Sequence, residues 1–234
     1  MKTISKLTLL LSGLAILSCN QSQKKQNKKV TQDTIAKRIT NKNTPPETIS
    51  EFLDKALTID TIEFNNEFEF DTYKSFLFFK SGHIISKTEK NALIVFCPTD
   101  TMYTIKLYSV KDGKWQLSDS ISGLDAFPTR FDAIFDDYNF DEQTDIYIQV
   151  TASDGWSLSR GHLLIINPKT KKFELHPETR ALANMKPDKK ARTVLSEEWI
   201  GYDMQNQIQL TILTNKWVKG QLKTTSKKNI KIKP

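Results

Sequence analysis

In 234 residues there are only two cysteines, three histidines and eight glycines. Two cysteines cannot build a disulfide framework or a paired-cysteine zinc site. His83, His162 and His176 do not form the His-Glu-x-x-His spacing of a helical zinc site. The chain also lacks the Gly-x-Ser-x-Gly elbow of serine hydrolases and the glycine-rich loop that cradles nucleotide phosphates. No apolar run reaches the roughly 20 residues a bilayer-spanning helix needs. With no recognisable nucleophile, paired base or open metal position, the sequence reads as a non-enzyme. A hydrolytic pair of carboxylates flanking a cleft stays open as an alternative, because spacing along the chain does not reveal such pairs.

What is present begins at the N-terminus. Lys2 and Lys6 flank an uncharged apolar run, Leu7 to Leu17, which is the pattern of an export signal and is excluded from fold reasoning. It ends in Ile16-Leu17-Ser18-Cys19, which resembles the bacterial lipoprotein signal, where a small residue precedes a cysteine that is acylated before cleavage. The resemblance implies a signal peptide over residues 1–18, Cys19 as the lipidated first mature residue, and a place in the bacterial cell envelope. Periplasmic and surface-exposed orientations both remain open. It also implies a membrane partner reached through the acyl chain. Cys97 is then the one thiol left, at the end of the apolar strand Ala92 to Cys97, where a buried, inert group is expected.

The basic balance of the whole chain misleads. Between Asn20 and Thr44 seven basic residues face Asp33 alone, in a segment of Lys, Gln, Asn and Thr with too little apolar material to fold. Residues 19–44 therefore read as a tether whose lysines can lie against anionic headgroups. Residues 221–234 hold five lysines and no acid and read as a basic tail. Residues 45–220, the expected domain, carry 20 basic and 26 acidic residues, so a nucleic-acid surface is excluded.

The domain opens with a helix signal. Thr44-Pro45-Pro46-Glu47 offers a capping hydroxyl, a proline in the first turn and a glutamate three residues after the cap. Ile49, Phe52, Leu53, Ala56 and Leu57 then recur at helical spacing. Beyond Leu57 the period shortens to two. Ile62, Phe64, Phe68 and Phe70 alternate with polar residues; Phe76 to Phe79 and Ala92 to Phe96 read as inner strands. Three hairpins follow, turning at Lys111-Asp112-Gly113-Lys114, at Asn167-Pro168-Lys169-Thr170 and at Thr214-Asn215-Lys216. The expectation is a mainly β fold of antiparallel hairpins, propeller-like or sandwich-like, with a short N-terminal helix; a partly open barrel gives a similar signal. Trp115 and Trp217 are expected to pack in its core.

The sharpest local feature is Asp136-Asp137-Tyr138-Asn139-Phe140-Asp141-Glu142-Gln143-Thr144-Asp145. Asp137, Asn139, Asp141 and Asp145 fall at positions 1, 3, 5 and 9, and alternate residues of a curled loop can turn oxygens inward toward a hard cation. The carbonyl of Gln143 offers a fifth ligand. The loop resembles the calcium loops of integrin-type propeller repeats, which also precede a strand; here Glu142 stands where those loops have a glycine. Calcium is the cofactor this implies, as an ion that fixes a loop rather than one that reacts.

Together with the His162 to Phe173 hairpin, the loop is similar to exported bacterial proteins related to inhibitors of secreted lysozyme-like effectors. That resemblance implies a β domain that binds an envelope protein such as a lysozyme-like enzyme. Trp156 and Arg160, in the loop Ala152 to Gly161, are the candidate contacts, since Trp and Arg are enriched at interface hot spots. A structural lipoprotein stabilised by calcium is the alternative.

Overall fold

The computed structural model describes residues 49–70, 73–97, 101–152 and 158–232. Cys19, the tether, the expected cap at Thr44 and Trp156 lie outside these residues.

Ile49–Thr58 forms helix α1. It turns Leu53 and Ala56 inward, with Ile49 and Phe52 partly covered, while Leu57 falls off the stripe and stays exposed. The indole of Trp115 donates to the Leu53 carbonyl at 2.6 Å, pinning the helix to the first sheet. No helix among the described residues is long and apolar enough to cross a membrane.

The rest is antiparallel β, in three sheets whose strands follow chain order. The first contains β1 (Ile62–Phe70), β2 (Tyr73–Gly82), β3 (Asn91–Cys97), β4 (Met102–Lys111) and β5 (Lys114–Asp125). The second contains β6 (Asp132–Asp136), β7 (Asp145–Ala152), β8 (Ser159–Ile166) and β9 (Phe173–Leu175). The third contains β10 (Ala183–Asp188), β11 (Thr193–Tyr202), β12 (Ile208–Val218) and β13 (Gln221–Ile232).

Strand side chains point alternately to opposite faces, so the core clusters show how the sheets stack. Phe76, Phe78, Leu93, Val95, Tyr103 and Ile105 of the first sheet pack against Ile146, Ile148, Leu164 and Ile166 of the second. Leu77, Phe79, Ala92 and Ile94, on the other face of the first sheet, pack under α1. Tyr147, Leu163 and Ile165, on the other face of the second sheet, meet Met185, Val194, Leu213 and Leu222 of the third. Strands buried on both faces need apolar residues at every position, which is why β3, β7 and β8 read as nearly continuous hydrophobic runs. The mainly β antiparallel expectation holds, with sheets packed face to face. Cys97 is buried and forms no disulfide.

The turn at Asp112-Gly113 is the one the sequence predicts: both residues are left-handed, at φ 52° and 73°, as a two-residue hairpin of matching twist requires. The turn expected at Thr214 to Lys216 is not there. β12 runs straight through it and reverses at Lys219-Gly220, again with both residues left-handed. Asn215 is a buried strand residue beside a bulge. Its amide donates to the Val194 carbonyl and to Ser196 Oγ, both at 2.9 Å, and its oxygen accepts from Thr224 at 2.7 Å. The residue that looked like a turn former is a satisfied buried amide. Likewise Gln221 to Ile232 is not a tail beyond the domain but the edge strand β13, paired with β12 along its length. Lysines spaced along an exposed edge discourage pairing with another chain, and in composition such a strand looks like a disordered segment.

Candidate functional site

The acidic loop joins β6 to β7 and is closed by its own carboxylates. Asp137 Oδ1 accepts the amides of Phe140 and Asp141 at 2.6 and 3.1 Å, and Oδ2 that of Glu142 at 3.0 Å. Asn139 Oδ1 accepts the Asp141 amide at 3.0 Å, and Asp141 Oδ1 the Gln143 amide at 2.9 Å. Asp145 Oδ2 takes the amides of Tyr138 and Asn139 at 2.8 and 3.2 Å, and Oδ1 takes that of Ile166 at 3.4 Å. Glu142 adopts the left-handed conformation, φ 71°, that glycine would take without steric cost, and leaves its side chain exposed.

Asp145 is fully buried. Burial pushes its carboxyl up to about 7, and the amide hydrogen bonds from Tyr138, Ile166 and Asn139 only partly offset that rise. The side-chain oxygens expected to hold calcium thus accept from backbone amides. Asn139 also donates from Nδ2 to Asp141 Oδ2 at 3.0 Å, which draws those two side chains together. Among the described residues no three His, Cys, Asp or Glu side chains converge as a metal-holding group. The donor chemistry of the loop, side-chain carboxylate and amide oxygens with a backbone carbonyl, suits a hard cation.

The loop is tied to all three sheets. It leaves from β6 and enters β7; the Thr144 amide donates to Ile85 O beside the first sheet at 3.2 Å; and two groups of the third sheet reach it. Trp217 Nε1 donates to Tyr138 O at 2.7 Å, and Arg192 donates to Phe140 O at 2.9 Å while lying over the Phe140 ring.

Of the two expected contact residues, Trp156 lies outside the described residues and Arg160 is on a strand. Arg160 lies half-buried on β8, opposite Thr151 of β7. Next to it, Gly161 is a close approach: a Cβ there would stand 2.2 Å from the Ile148 carbonyl oxygen and 2.8 Å from the Tyr147 ring. His162 is buried, with Nε2 3.3 Å from the Asp125 carbonyl; burial, and then the Arg180 charge, hold its imidazole below the ordinary range. His176 Nδ1 lies 3.1 Å from Glu178, and its ring meets Trp217 edge-on. Trp115 and Trp217 are both spent on internal hydrogen bonds, as core residues are.

The described surface offers a different feature. At the end of the β11–β12 hairpin, Trp199, Ile200, Tyr202 and Met204 are 36%, 49%, 57% and 106% exposed. Cross-strand pairing aligns Trp199 with Leu210 and Ile230, and Tyr202 with Ile208 and Ile232. Directly paired residues share a sheet face, so Trp199 and Tyr202, whose rings meet edge-on at 6.1 Å, lie on the same face as the buried Leu210 and Ile208. Its tip is rigid. Asp203 Oδ1 accepts the amides of Gln205 and Gln207 at 2.9 Å, and Oδ2 accepts from Lys231 at 3.0 Å. The signal was visible in the sequence as Trp199-Ile200-Gly201-Tyr202-Asp203-Met204, an apolar run ending in a turn; its exposure was not.

The chain matches no family model, no curated protein and no solved structure significantly.

Proposed function

We propose that this protein is a lipid-anchored binding domain of the bacterial cell envelope, tethered through Cys19, that docks on an envelope protein such as a lysozyme-like enzyme. The observation that carries the reading is the exposed cluster Trp199, Ile200, Tyr202 and Met204 on a hydrogen-bonded hairpin tip. Contiguous exposed apolar surface is costly to maintain and marks interaction sites. Trp and Tyr are the residues most often energetically dominant there, and Met adapts to the partner's shape. A pre-ordered tip loses little entropy on binding. Calcium, held by Asp137, Asn139, Asp141, Asp145 and the Gln143 carbonyl, belongs to this proposal as a stabiliser of the neighbouring loop. What supports it is the all-oxygen donor set.

Two experiments test the reading. Palmitate labelling in a bacterial host should mark the wild-type chain and be lost in Cys19→Ala; equal labelling of both removes the anchor. Titration of the mature chain against lysozyme-like muramidases should show saturable binding. Trp199→Ala and Tyr202→Ala should each weaken it by about tenfold or more at unchanged melting temperature, with Trp156→Ala and Arg160→Ala measured alongside. Absence of binding by the wild-type chain, or full binding by the Trp199/Tyr202 double variant, overturns the assignment.

A further inference from the structure

Charge is divided unevenly between the layers of the fold. Residues 45–182, the segment holding α1 and the first two sheets, carry 14 basic and 22 acidic side chains, whereas residues 183–232, the third sheet, carry 10 basic and 4 acidic. The third sheet packs on the second through Val194, Leu213 and Leu222, so its other face points out of the stack. Side chains alternate along a strand, and directly paired residues share a face. Lys223 therefore points outward beside the inward Leu222, and Lys216, its cross-strand partner, points the same way. Lys228, opposite Ile212, and Lys186, opposite Leu195, fall on this face too.

The lysines of the two faces are used differently. Lys227 and Lys231, on the inward face of β13, pair with Glu198 at 3.5 Å and with Asp203 at 3.0 Å. Among the described residues no ion pair forms at Lys216, Lys223 or Lys228, nor at Lys219 in the β12–β13 turn or Lys190 in the β10–β11 turn, and all five are exposed. Those two turns lie at one end of the sheet, because β11 begins where β12 ends, with Val194 opposite Asn215. The acids of the outward face are engaged: Glu197 accepts from Asn184 at 2.6 Å, and Asp188 from the Ala191 amide at 3.0 Å. Arg192, the one arginine in the sheet, is turned to Phe140 O. Lysine is a flexible point charge without the planar fork that grips a single phosphate through two hydrogen bonds, so a lysine face suits diffuse negative charge.

We propose that the outward face of the third sheet, at the end carrying Lys190, Lys216, Lys219 and Lys223, seats on an anionic lipid bilayer. Each lysine near such a surface adds an attraction that salt screens, and the sum depends on charge rather than on a fitted shape. The acid-rich layers then face away from the negative surface, so repulsion favours the same orientation as attraction. The segment that enters the domain is basic as well, with seven basic residues against Asp33 between Asn20 and Thr44, and the same surface attracts it. Trp199 lies opposite Leu210, and Leu210 stands six residues along β12 from Lys216, about 20 Å at the rise of a strand, which leaves the hairpin tip open to a protein partner. The contact is independent of the acyl group and of that tip.

The test is sedimentation of residues 19–234, without the acyl group, with vesicles of phosphatidylglycerol and phosphatidylcholine in equal parts or of phosphatidylcholine alone. The wild type should bind the mixed vesicles, ignore the neutral ones and be released by about 0.5 M salt. Changing Lys216, Lys219 and Lys223 together to glutamine should weaken binding on the order of a hundredfold at unchanged melting temperature. The same loss of charge taken from the first sheet, Lys106, Lys111 and Lys114 to glutamine, should leave binding close to wild type, as should Trp199→Ala. In a chain whose Lys24, Lys25, Lys28 and Lys29 are also glutamine, the third-sheet substitutions should still weaken binding by a similar factor. Four outcomes overturn the proposal: no preference of the wild type for anionic vesicles, including retention by soluble polyglutamate alone; wild-type binding by the third-sheet triple variant in either background; equal losses from the first-sheet and third-sheet triple variants; or a comparable loss in Trp199→Ala, which would move the lipid contact to the tip.

Discussion

His162 shows how a single buried side chain makes stability depend on pH. Burial and then the nearby Arg180 guanidinium lower its pKa from the ordinary 6.5, against the opposing effect of the Asp125 carbonyl. In this direction the unfolded chain takes up the proton before the folded one does, so the stabilisation is present above about 6.5 and is lost as pH falls through the folded value. Asp125 sits in the same neighbourhood, but its carboxyl is held low by Arg180 at 2.5 Å against the opposing effect of burial, so it matters only in strong acid. Asp145, raised to about 7, acts in the opposite sense across the same window. The useful quantity is therefore the difference between proteins: His162→Gln should lose less melting temperature than the wild type between pH 7 and pH 5. Parallel melting curves for the two would show that His162 does not titrate in the native state.

At the scale of the element, β13 decides where the domain ends. Its register with β12 runs from Val218–Gln221 to Ile208–Ile232, Leu222 is buried against the second core, and Ile230 and Ile232 extend the apolar face at Leu210 and Ile208. A lysine-rich tail could be removed without consequence; an edge strand could not. Deleting residues 221–234 should strip β12 of its partner and expose an apolar edge that pairs with other chains. Loss of strand signal by circular dichroism together with aggregation on size exclusion is the expected outcome. A monomer of unchanged melting temperature would mean that β13 contributes nothing to the fold. The same element explains the position of the third hairpin: Thr214-Asn215-Lys216 carries turn-forming residue types, yet Lys219-Gly220 occupies the left-handed pair. A buried asparagine and a turn asparagine look alike until its neighbours across the sheet are known.

For the whole molecule, the Asp136 to Asp145 loop is a piece hydrogen-bonded to groups of, or beside, all three sheets, and Asp145 is its buried anchor. Removing that carboxylate leaves the amides of Tyr138, Asn139 and Ile166 buried without acceptors. Asp145→Ala should therefore cost about 3 kcal/mol, read as a fall in melting temperature on the order of 10 °C. Calcium is examined in the same experiment. If the ion binds the loop, adding calcium raises the wild-type midpoint and chelation lowers it, since a ligand held only by the folded state stabilises it; in Asp145→Ala that calcium dependence disappears. An unchanged wild-type midpoint with and without the ion assigns the acids to amide capping alone.

The alternation of Ile62 to Phe70, the continuous runs at Phe76 to Phe79 and Ala92 to Phe96, and the Asp112-Gly113 turn made the antiparallel β class and most of the strands legible from sequence, because strand period and hairpin twist are local properties. The helix at Ile49 to Thr58 was legible for the same reason. The order in which sheets stack, the burial of Asn215 and His162, the pairing of β13 and the exposure of Trp199 to Met204 were decided only by tertiary contacts between residues far apart in the chain. The acidic loop lies between these cases. Its spacing showed that Asp137, Asn139, Asp141 and Asp145 would curl inward, but whether their oxygens meet a cation or their own backbone amides depends on where the fold places Tyr138, Ile166 and Trp217 around them.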